Sequence, residues 1–446
     1  MMSSSTLSFA MLLALLPSPL LASAPMTPLT DPLARCLDST LSAYYIEPSS
    51  DPMNATKFVI YLEGGGECAS NVSCTKATNS VLGSSKVRSE VGVAAHRRSS
   101  IHAPFHYLFP TCSSAVAPPR CLSPHTLPRT LLPQYFPATK SFDEGIYYAS
   151  GLSSNPFKGY TRIYVPYCSQ DLHSGLRTAT SPATFGLYFS GHLIFRAVLD
   201  ALTSSHGLGA ATEVILTGGS AGGIGAWINA NYLYSRVPQA RVTVAPVAGM
   251  YFFAFPYTGV NHTGSELVDF REPAWPGNIA LWDSYIDPSC AAGLGDRAYA
   301  CMLSNYSLPY IKTAAFVTEA QTDQVQLEAH DWLPDADHQD APERAYMAQW
   351  SANMTQALSP LTGFFNPSCY IHTAFSTAGP KIGGMSYMDA FVAWYAGGPG
   401  SHRHADSCGL VSGLRGERDA QLAHARPTPS RWLGAAAFAV EPHSSL

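Results

Sequence analysis

Five short apolar runs punctuate the chain, and each has the length of a buried β-strand. Few of their positions are polar, which is typical of strands in a parallel sheet that helices cover on both faces. The predicted strands are Lys57–Leu62, Thr161–Pro166, Glu213–Thr217, Arg241–Val247 and Lys312–Thr318. The pattern therefore predicts a sheet that is buried on both sides.

Two stretches between these strands, Leu187–Leu202 and Gly223–Tyr234, carry apolar residues near helical spacing. No internal repeat is visible. Strands that alternate with helices predict the α/β class, with a mostly parallel central sheet and helices on both faces.

The N-terminus has the pattern of a secretory signal. Residues 7–22 are almost wholly apolar, and Ala22-Ser23-Ala24 fits a cleavage site of small residues. A membrane anchor is the alternative, but the apolar stretch is short and two prolines interrupt it. We therefore predict a signal peptide at residues 1–24, secretion and no stable membrane insertion.

The mature chain, residues 25–446, has the length of one large α/β domain. Residues 96–141 are rich in Pro, Ser and His without periodicity, which predicts an insertion on the surface. The tail after about residue 415 is also irregular.

Charge and cysteine content narrow the classes of protein. The formal net charge is −5, only 13% of residues are charged, and no basic block is longer than Arg97-Arg98. A nucleic-acid partner is therefore not expected. Ten cysteines and five sequons suit a secreted glycoprotein with disulfides. The easiest local pairs are Cys68 with Cys74, Cys112 with Cys121, and Cys290 with Cys301.

A candidate nucleophile lies in the segment Gly218–Gly223, where Ser220 follows a predicted strand and precedes a predicted helix. A nucleophilic serine in this context needs a tight strained turn and small neighbours, because strand and helix approach each other closely. A glycine-rich structural turn is the alternative interpretation.

A second glycine run, Glu63–Gly66, directly follows the first strand. The backbone N–H groups of Gly65 and Gly66 could bind a developing oxyanion, together with the amide of Ala221. A plain turn is the alternative. The Lys and Ser/Thr of a phosphate-binding loop do not follow.

A serine nucleophile also needs a base and an acid, in the chain order Ser, Asp, His. The candidate acid is Asp323, and Glu319, Glu328 and Asp331 are its nearby competitors after the last predicted strand. Candidate histidines later in the chain include His330, His338, His372 and His402. Cys369 could anchor the loop that carries His372, which favours this histidine. Spacing alone leaves the other acids and histidines open.

Taken together, the motifs from about Cys36 to Cys408 resemble the pectin acetylesterase family, which includes plant pectin acetylesterases and the animal carboxylesterase Notum. The segments that carry the resemblance are Leu62–Gly66 with Cys68 and Cys74, Leu82–Ser85, Tyr167–Gly175, Gly218–Gly223, Phe316–Asp323 with Gln326, and Ser368–His372. The resemblance implies an α/β-hydrolase-like fold. It also implies that Asp323 is the acid and His372 the base.

Two departures from the family pattern concern the rim where we expect substrate to bind. Glu67 stands where the family usually has an aromatic residue, and His173 stands where animal members have Trp. Residues 96–141 have no clear counterpart. The departures put the substrate in question more than the reaction.

The sequence thus predicts a secreted serine carboxylesterase without metal or organic cofactor. The favoured substrate is an acetylated extracellular polysaccharide such as pectin. One alternative is removal of a fatty acyl group from a protein, with the aromatic run Tyr251–Phe255 lining an acyl pocket. Another is a catalytically silent glycan-binding protein, which a carboxylate at Glu67 would favour.

Overall fold

A computed structural model describes most of the chain, with gaps. It covers residues 23–86, 136–142, 155–259, 268–334, 340–375, 379–398 and 400–406. All but the last two residues of the predicted signal peptide, Cys112, Cys121 and the predicted irregular tail lie outside the described residues.

The described residues form fourteen strands and eight α-helices. The strands are β1 Ser23–Pro28, β2 Ala43–Glu47, β3 Lys57–Leu62, β4 Thr139–Ser141, β5 Thr161–Val165, β6 Glu213–Gly219, β7 Arg241–Val247, β8 Ala314–Thr318, β9 Thr322–Asp323, β10 Gly363–Asn366, β11 Tyr370–Ile371, β12 Lys381–Ile382, β13 Met385–Ser386 and β14 His402–Ala405. The helices are α1 Asn71–Thr78, α2 Gly191–Ser205, α3 Ala221–Arg236, α4 Trp275–Trp282, α5 Pro288–Leu294, α6 Ser304–Ser307, α7 Ala341–Leu358 and α8 Tyr387–Tyr395. A π-helical turn spans Gln326–His330.

Ten of the strands form one sheet in the order β14-β10-β8-β7-β6-β3-β5-β2-β1-β4. Seven consecutive strands, from β14 to β5, run parallel to one another. The remaining strands, β2, β1 and β4, pair antiparallel at the other end of the sheet, where β4 forms the edge. All five strands predicted from the sequence lie in the parallel part, so the predicted fold class is confirmed.

Alternation along the strands sends side chains to both faces of the sheet. On β3, Phe58 and Ile60 belong to the core beneath α2, α3 and α7, whereas Val59 belongs to the core beneath α8. Strands β6, β7 and β8 alternate in the same way. Burial of both faces explains why these strands have few polar positions.

A third apolar cluster covers the start of α3. It joins Ala221 and Ile224 of α3 to aromatic side chains from residues 251–282. The helices α4, α5 and α6 follow in the same region. This layer lies over the carboxyl ends of the parallel strands, because α3 begins there.

Three disulfides join described cysteines. The predicted pairs Cys68–Cys74 and Cys290–Cys301 are confirmed. The third disulfide, Cys36–Cys168, joins residues 132 positions apart and was not predicted. Among the described helices, none has the length and apolar composition needed to cross a bilayer.

The predicted insertion is described only at its end. Phe136 is buried, and β4 pairs with β1 at the edge of the large sheet. Residues 139–141 therefore belong to the sheet.

Candidate active site

The candidate residues follow the carboxyl ends of four parallel strands. The glycine run follows β3, Ser220 follows β6, Asp323 follows β8, and His372 follows β10. These strands are neighbours or near neighbours in the sheet. Since parallel strands end at the same edge, the topology gathers the four segments there.

Ser220 occupies a strained turn between β6 and α3. Its backbone has φ 57° and ψ −126°, a conformation unusual for a residue with a side chain. Its N–H donates to the carbonyl of Val247 over 3.0 Å. A Cβ atom at Gly222 would overlap the carbonyl oxygen of Leu62. The predicted turn, with its requirement for small neighbours, is confirmed.

The glycine run lies against this turn. A Cβ atom at Gly64 would overlap the carbonyl oxygen of Gly219 and would lie 3.0 Å from Cβ of Ser220. Gly65 and Gly66 have φ values of 151° and 70°, which favour glycine. The two turns therefore pack backbone against backbone.

Hydrogen bonds fix the orientation of the glycine run. The Gln170 side chain donates to the carbonyl of Gly65 over 3.2 Å. Because the C=O and N–H of a trans peptide point in opposite directions, this bond also orients the N–H of Gly66. Neither the Gly65 nor the Gly66 N–H donates to another described residue. The amide of Ala221 is the first of α3 and has no acceptor within that helix.

A two-stranded ladder brings the acid and the histidine together. Strand β9 pairs in parallel with β11, and Asp323 lies opposite Ile371. His372 is the next residue, and its Nδ1 lies 2.7 Å from Oδ2 of Asp323. The Gln326 N–H donates to Oδ1 of Asp323 over 2.9 Å. Asp323 is fully buried, while the His372 side chain is 15% exposed.

The second ring nitrogen of His372 points away from this bond. Nε2 has no hydrogen-bond partner among the described residues, so no bond to the Ser220 hydroxyl is described. Asp323 thus bonds directly to His372, and the backbone of Gly64 lies directly against the turn at Ser220. It places all four segments at one edge of the sheet.

The competing acids have other contacts. Glu328 accepts the Tyr370 hydroxyl proton over 2.9 Å. Asp331 accepts the Phe255 N–H, and burial raises its pKa to about 7. Glu319 is fully buried, and its Oε2 accepts the Met250 N–H over 2.9 Å. Of the four acids, Asp323 is the one that binds His372.

The competing histidines do not contact Asp323 in this way. His330 is buried against the ring of Phe270 at 3.9 Å, and burial lowers its pKa to about 4. His402 lies on the edge strand β14 and bonds to the Gly398 carbonyl at 2.8 Å. His338 lies outside the described residues.

The two departures from the family pattern are buried, not on an exposed rim as expected. His173 fills the space between the glycine run and α3, where its Nε2 lies 2.9 Å from the Glu63 carbonyl oxygen. Burial lowers its pKa to about 4, so the ring is neutral near pH 7. Glu67 accepts the Val268 N–H at 3.4 Å, and burial raises its pKa to about 7.

Sequence reasoning missed the anchoring role of Gln170. Gln170 is separated from Gly65 by 105 positions. Only its place in the segment that follows Cys168 could have suggested a role.

Comparisons with known proteins agree with this geometry. The family model for pectinacetylesterase matches residues 22–99 and 112–412. Pectin acetylesterase 5 of Arabidopsis thaliana is 25% identical over 389 residues, which are 81% of this chain and 77% of that protein. The palmitoleoyl-protein carboxylesterase Notum of Schmidtea mediterranea is 25% identical over 343 residues, which are 76% of this chain and 55% of that protein. The chain thus spans about half the length of the planarian relative.

A solved structure shares the fold. The Wnt deacylase Notum from Drosophila superposes with a TM-score of 0.61 at 20% identity, over 86% of this chain and 96% of that chain. The first matched segment of the family model contains the glycine run, and the second contains the strained turn at Ser220 and the Asp323–His372 pair. The chain belongs to the pectinacetylesterase family.

Proposed function

We propose that this protein is a secreted serine carboxylesterase that removes O-acetyl groups from an extracellular polysaccharide such as pectin. The observation that carries the proposal is the 2.7 Å bond between His372 and Asp323 at the sheet edge where Ser220 occupies a strained turn. Family membership supports hydrolysis of a carboxylic ester.

In the proposed reaction, the Ser220 hydroxyl attacks the ester carbonyl while Nε2 of His372 takes its proton. Asp323 accepts the Nδ1–H, which holds the imidazole in the required tautomer and stabilises the imidazolium. Nε2 has no hydrogen-bond partner among the described residues and is therefore available to the Ser220 hydroxyl. His372 then protonates the leaving sugar hydroxyl and activates water for hydrolysis of the acyl-enzyme.

The oxyanion would be bound by the amides of Gly65, Gly66 and Ala221. The first two have no described acceptor, and the third lies at the N-terminus of α3, where the helix dipole favours negative charge. Loss of one such donor typically lowers kcat about 10²–10³-fold. The mechanism requires no metal or organic cofactor.

A small acyl group is supported by the packing near Ser220. Of the aromatic run considered as an acyl pocket, Tyr251, Phe253 and Ala254 are buried in the cluster that contains Ala221.

Removal of a fatty acyl group from a protein is the second candidate. It is favoured by the apolar cluster beside Ser220 and by the planarian relative. Rates with p-nitrophenyl esters of increasing acyl length separate the two. A rate that falls from acetyl onward supports the polysaccharide substrate, whereas a maximum at about eight carbons or more supports the lipid.

Secretion is proposed from the cysteines and the N-terminus. Three described disulfides suit an oxidising compartment. The apolar segment at residues 7–22 would direct export, with cleavage after Ala24. The acylated polysaccharide or protein substrate would then be met outside the cell.

Ser220→Ala tests the proposal directly. We expect hydrolysis of p-nitrophenyl acetate to fall at least about 10⁴-fold, because the nucleophile is removed. Labelling by a fluorophosphonate probe should also be lost. Ser205 is exposed, so Ser205→Ala serves as the matched control and should keep both ester hydrolysis and labelling by the probe. Folded wild-type protein that the probe does not label would favour the silent glycan-binding interpretation.

A further inference from the structure

A strained segment, Gln170–His173, lies against the glycine run. Gln170, Leu172 and His173 have φ values of 52°, 59° and 57°, in the left-handed region that residues with side chains rarely adopt. Such conformations persist only where surrounding contacts hold them, and they are concentrated at functional sites. The contacts that hold this segment therefore indicate what it does.

The segment is bonded to the glycine run at three points. Nε2 of His173 lies 2.9 Å from the Glu63 carbonyl oxygen, at the start of the run. The Gln170 side chain donates to the Gly65 carbonyl over 3.2 Å. Just beyond the run, the Cys68 N–H donates to the Gln170 carbonyl over 3.1 Å. The run is thus held at its start, in its middle and beyond its end.

The direction of the His173 bond follows from its partner. A carbonyl oxygen only accepts hydrogen bonds, so Nε2 of His173 carries a proton and donates it to Glu63. Burial lowers the pKa of His173 to about 4, so the ring is neutral near pH 7 and has one N–H. The bond to Glu63 therefore fixes the tautomer of the ring.

The same imidazole also packs against α3. A Cβ atom at Gly225 of α3 would lie 2.8 Å from Cδ2 of His173, and the ring lies 4.6 Å from the ring of Tyr167, between centroids. The Asn229 side chain of α3 donates to the His173 carbonyl over 3.0 Å, and its Oδ1 lies 2.7 Å from Nδ1 of His192. The imidazole is therefore a fixed spacer between the glycine run and α3.

These two elements carry the proposed oxyanion donors. Gly65 and Gly66 belong to the glycine run, and Ala221 is the first residue of α3. The distance between the two sets of amides therefore depends on the spacing between the run and the helix. Oxyanion donors are effective when they are held in place before the reaction, and a displacement of about 1 Å can lower the rate about 10²-fold.

We propose that His173 is a positioning residue that sets the spacing between the two halves of the oxyanion hole. The Nε2–H bond to the Glu63 carbonyl holds the glycine run, and the contacts with Gly225 and Asn229 hold α3. This inference rests on the proposed function, in which amides of both elements bind the oxyanion.

His173→Gln and His173→Met test the bond to Glu63. The glutamine amide nitrogen has about the reach of Nε2 and can donate, so kcat for an acetyl ester should stay within about threefold of wild type. Methionine has a similar length but no donor, so kcat should fall at least about tenfold with little change in KM. Wild-type kcat in a folded His173→Met variant would overturn the proposal, and so would a glutamine variant as slow as the methionine variant.

His402→Met is the matched control. Nε2 of His402 makes the same kind of bond, at 2.8 Å from the Gly398 carbonyl oxygen, but this histidine lies on the edge strand β14. Its replacement should leave kcat unchanged. An equal loss of kcat in His402→Met and His173→Met would show a general effect of losing such a bond and would refute a role specific to the oxyanion hole.

A trifluoromethyl ketone tests the oxyanion hole itself. The Ser220 hydroxyl adds to the ketone carbonyl, and the resulting oxyanion resembles the transition state. In His173→Met the inhibition constant should rise by about the factor by which kcat/KM falls, because both depend on the same donors. An inhibition constant equal to that of wild type would contradict the proposal.

Nitrogen NMR tests the His173 bond without using activity. In protein labelled with ¹⁵N-histidine, Nε2 of His173 should carry a proton at pH 7 that exchanges slowly with water, and His173→Met assigns the signal. An unprotonated Nε2 refutes the proposal. This result stands even if Ser220→Ala remains active and the proposed function fails. Conversely, an inactive Ser220→Ala together with a fully active His173→Met would remove this inference and leave the proposed function intact.

Discussion

The two sides of Ser220 hold buried carboxyls in different ways. On the acid flank, residues 319–323 with His372, Glu319 accepts two backbone N–H groups. Asp323 accepts the Gln326 N–H, and its Oδ2 lies 2.7 Å from Nδ1 of His372. On the glycine flank, residues 63–67, the Glu67 side chain accepts one described N–H at 3.4 Å. The acid flank thus holds its carboxyls by several hydrogen bonds. Burial raises the pKa of Glu67 to about 7, so the glycine flank changes its charge near neutral pH.

The two flanks also differ in what keeps their shape. The acid flank depends on the β9–β11 pairing and on Cys369, which is disulfide-bonded. The glycine flank depends on backbone contacts that leave no room for a Cβ atom. Substitutions on the acid flank should therefore lower the catalytic rate without changing the fold. Substitutions on the glycine flank should displace the backbone around Ser220.

The largest effect is expected for Asp323→Asn on the acid flank. The amide would favour the wrong tautomer of His372 and could not stabilise the imidazolium, so kcat for an acetyl ester should fall about 10⁴-fold. The fold should survive, because the shape of the side chain is kept. The exposed Asp296→Asn is the control. If Asp323→Asn stays within tenfold of wild type, the acid has been assigned wrongly.

A smaller effect is expected for Gly64→Ala on the glycine flank. The added methyl would overlap the Gly219 carbonyl and crowd Ser220. Overpacking of this kind lowers the free energy of unfolding by about 1–3 kcal/mol. The displaced turn should also lower kcat about 10²-fold.

Gly277→Ala is the matched control for that prediction. Gly277 lies in α4, and a Cβ atom there would meet nothing within 4 Å. Alanine should stabilise the helix slightly and leave kcat unchanged. Equal melting temperatures and rates for Gly64→Ala and Gly277→Ala would show that the glycine flank tolerates displacement.

The sequence predicted the parts of the fold that local pattern determines. The apolar runs gave the bounds of β3 and β7 without error, and the predicted turn at Ser220 lies between β6 and α3. Both depend on neighbours within a few residues. Spacing alone left four candidate acids and four candidate histidines. The resemblance to the family selected Asp323 and His372 among them.

What the sequence could not predict depends on contacts between distant segments. Strand β1 contains two prolines and little apolar alternation, so its pairing with β2 and β4 is set by tertiary structure. The Cys36–Cys168 disulfide spans 132 positions. Burial of Glu67 depends on Val268, 201 positions away. No local pattern encodes such contacts.

The smallest effect is expected for Glu67→Gln, and its dependence on pH is diagnostic. Glu67 follows the proposed oxyanion donors, so its negative charge would oppose the transition state. Below pH 7 the carboxyl is neutral and the variant should match wild type. Above pH 7 the wild-type rate should fall by a factor of up to about ten, which corresponds to about 1.4 kcal/mol in the activation free energy. The variant should keep its rate. Parallel pH–rate curves for the two proteins would mean that this charge does not reach the oxyanion.

Stability provides the complementary measurement for Glu67→Gln. The folded-state pKa is raised from 4.5 to about 7 by burial. Below pH 4.5 the carboxyl is protonated in both the folded and the unfolded state, so the free energy of unfolding does not depend on pH through this group. Between pH 4.5 and about 7 only the unfolded state releases the proton, so the wild-type free energy of unfolding falls by about 1.4 kcal/mol per pH unit from this group. Glutamine has no proton to release. In denaturant unfolding, the free energy of unfolding of the variant should therefore rise relative to that of wild type between pH 4.5 and about 7, and the difference should stay constant above pH 7. A difference that does not change with pH would mean that the Glu67 carboxyl is in contact with water.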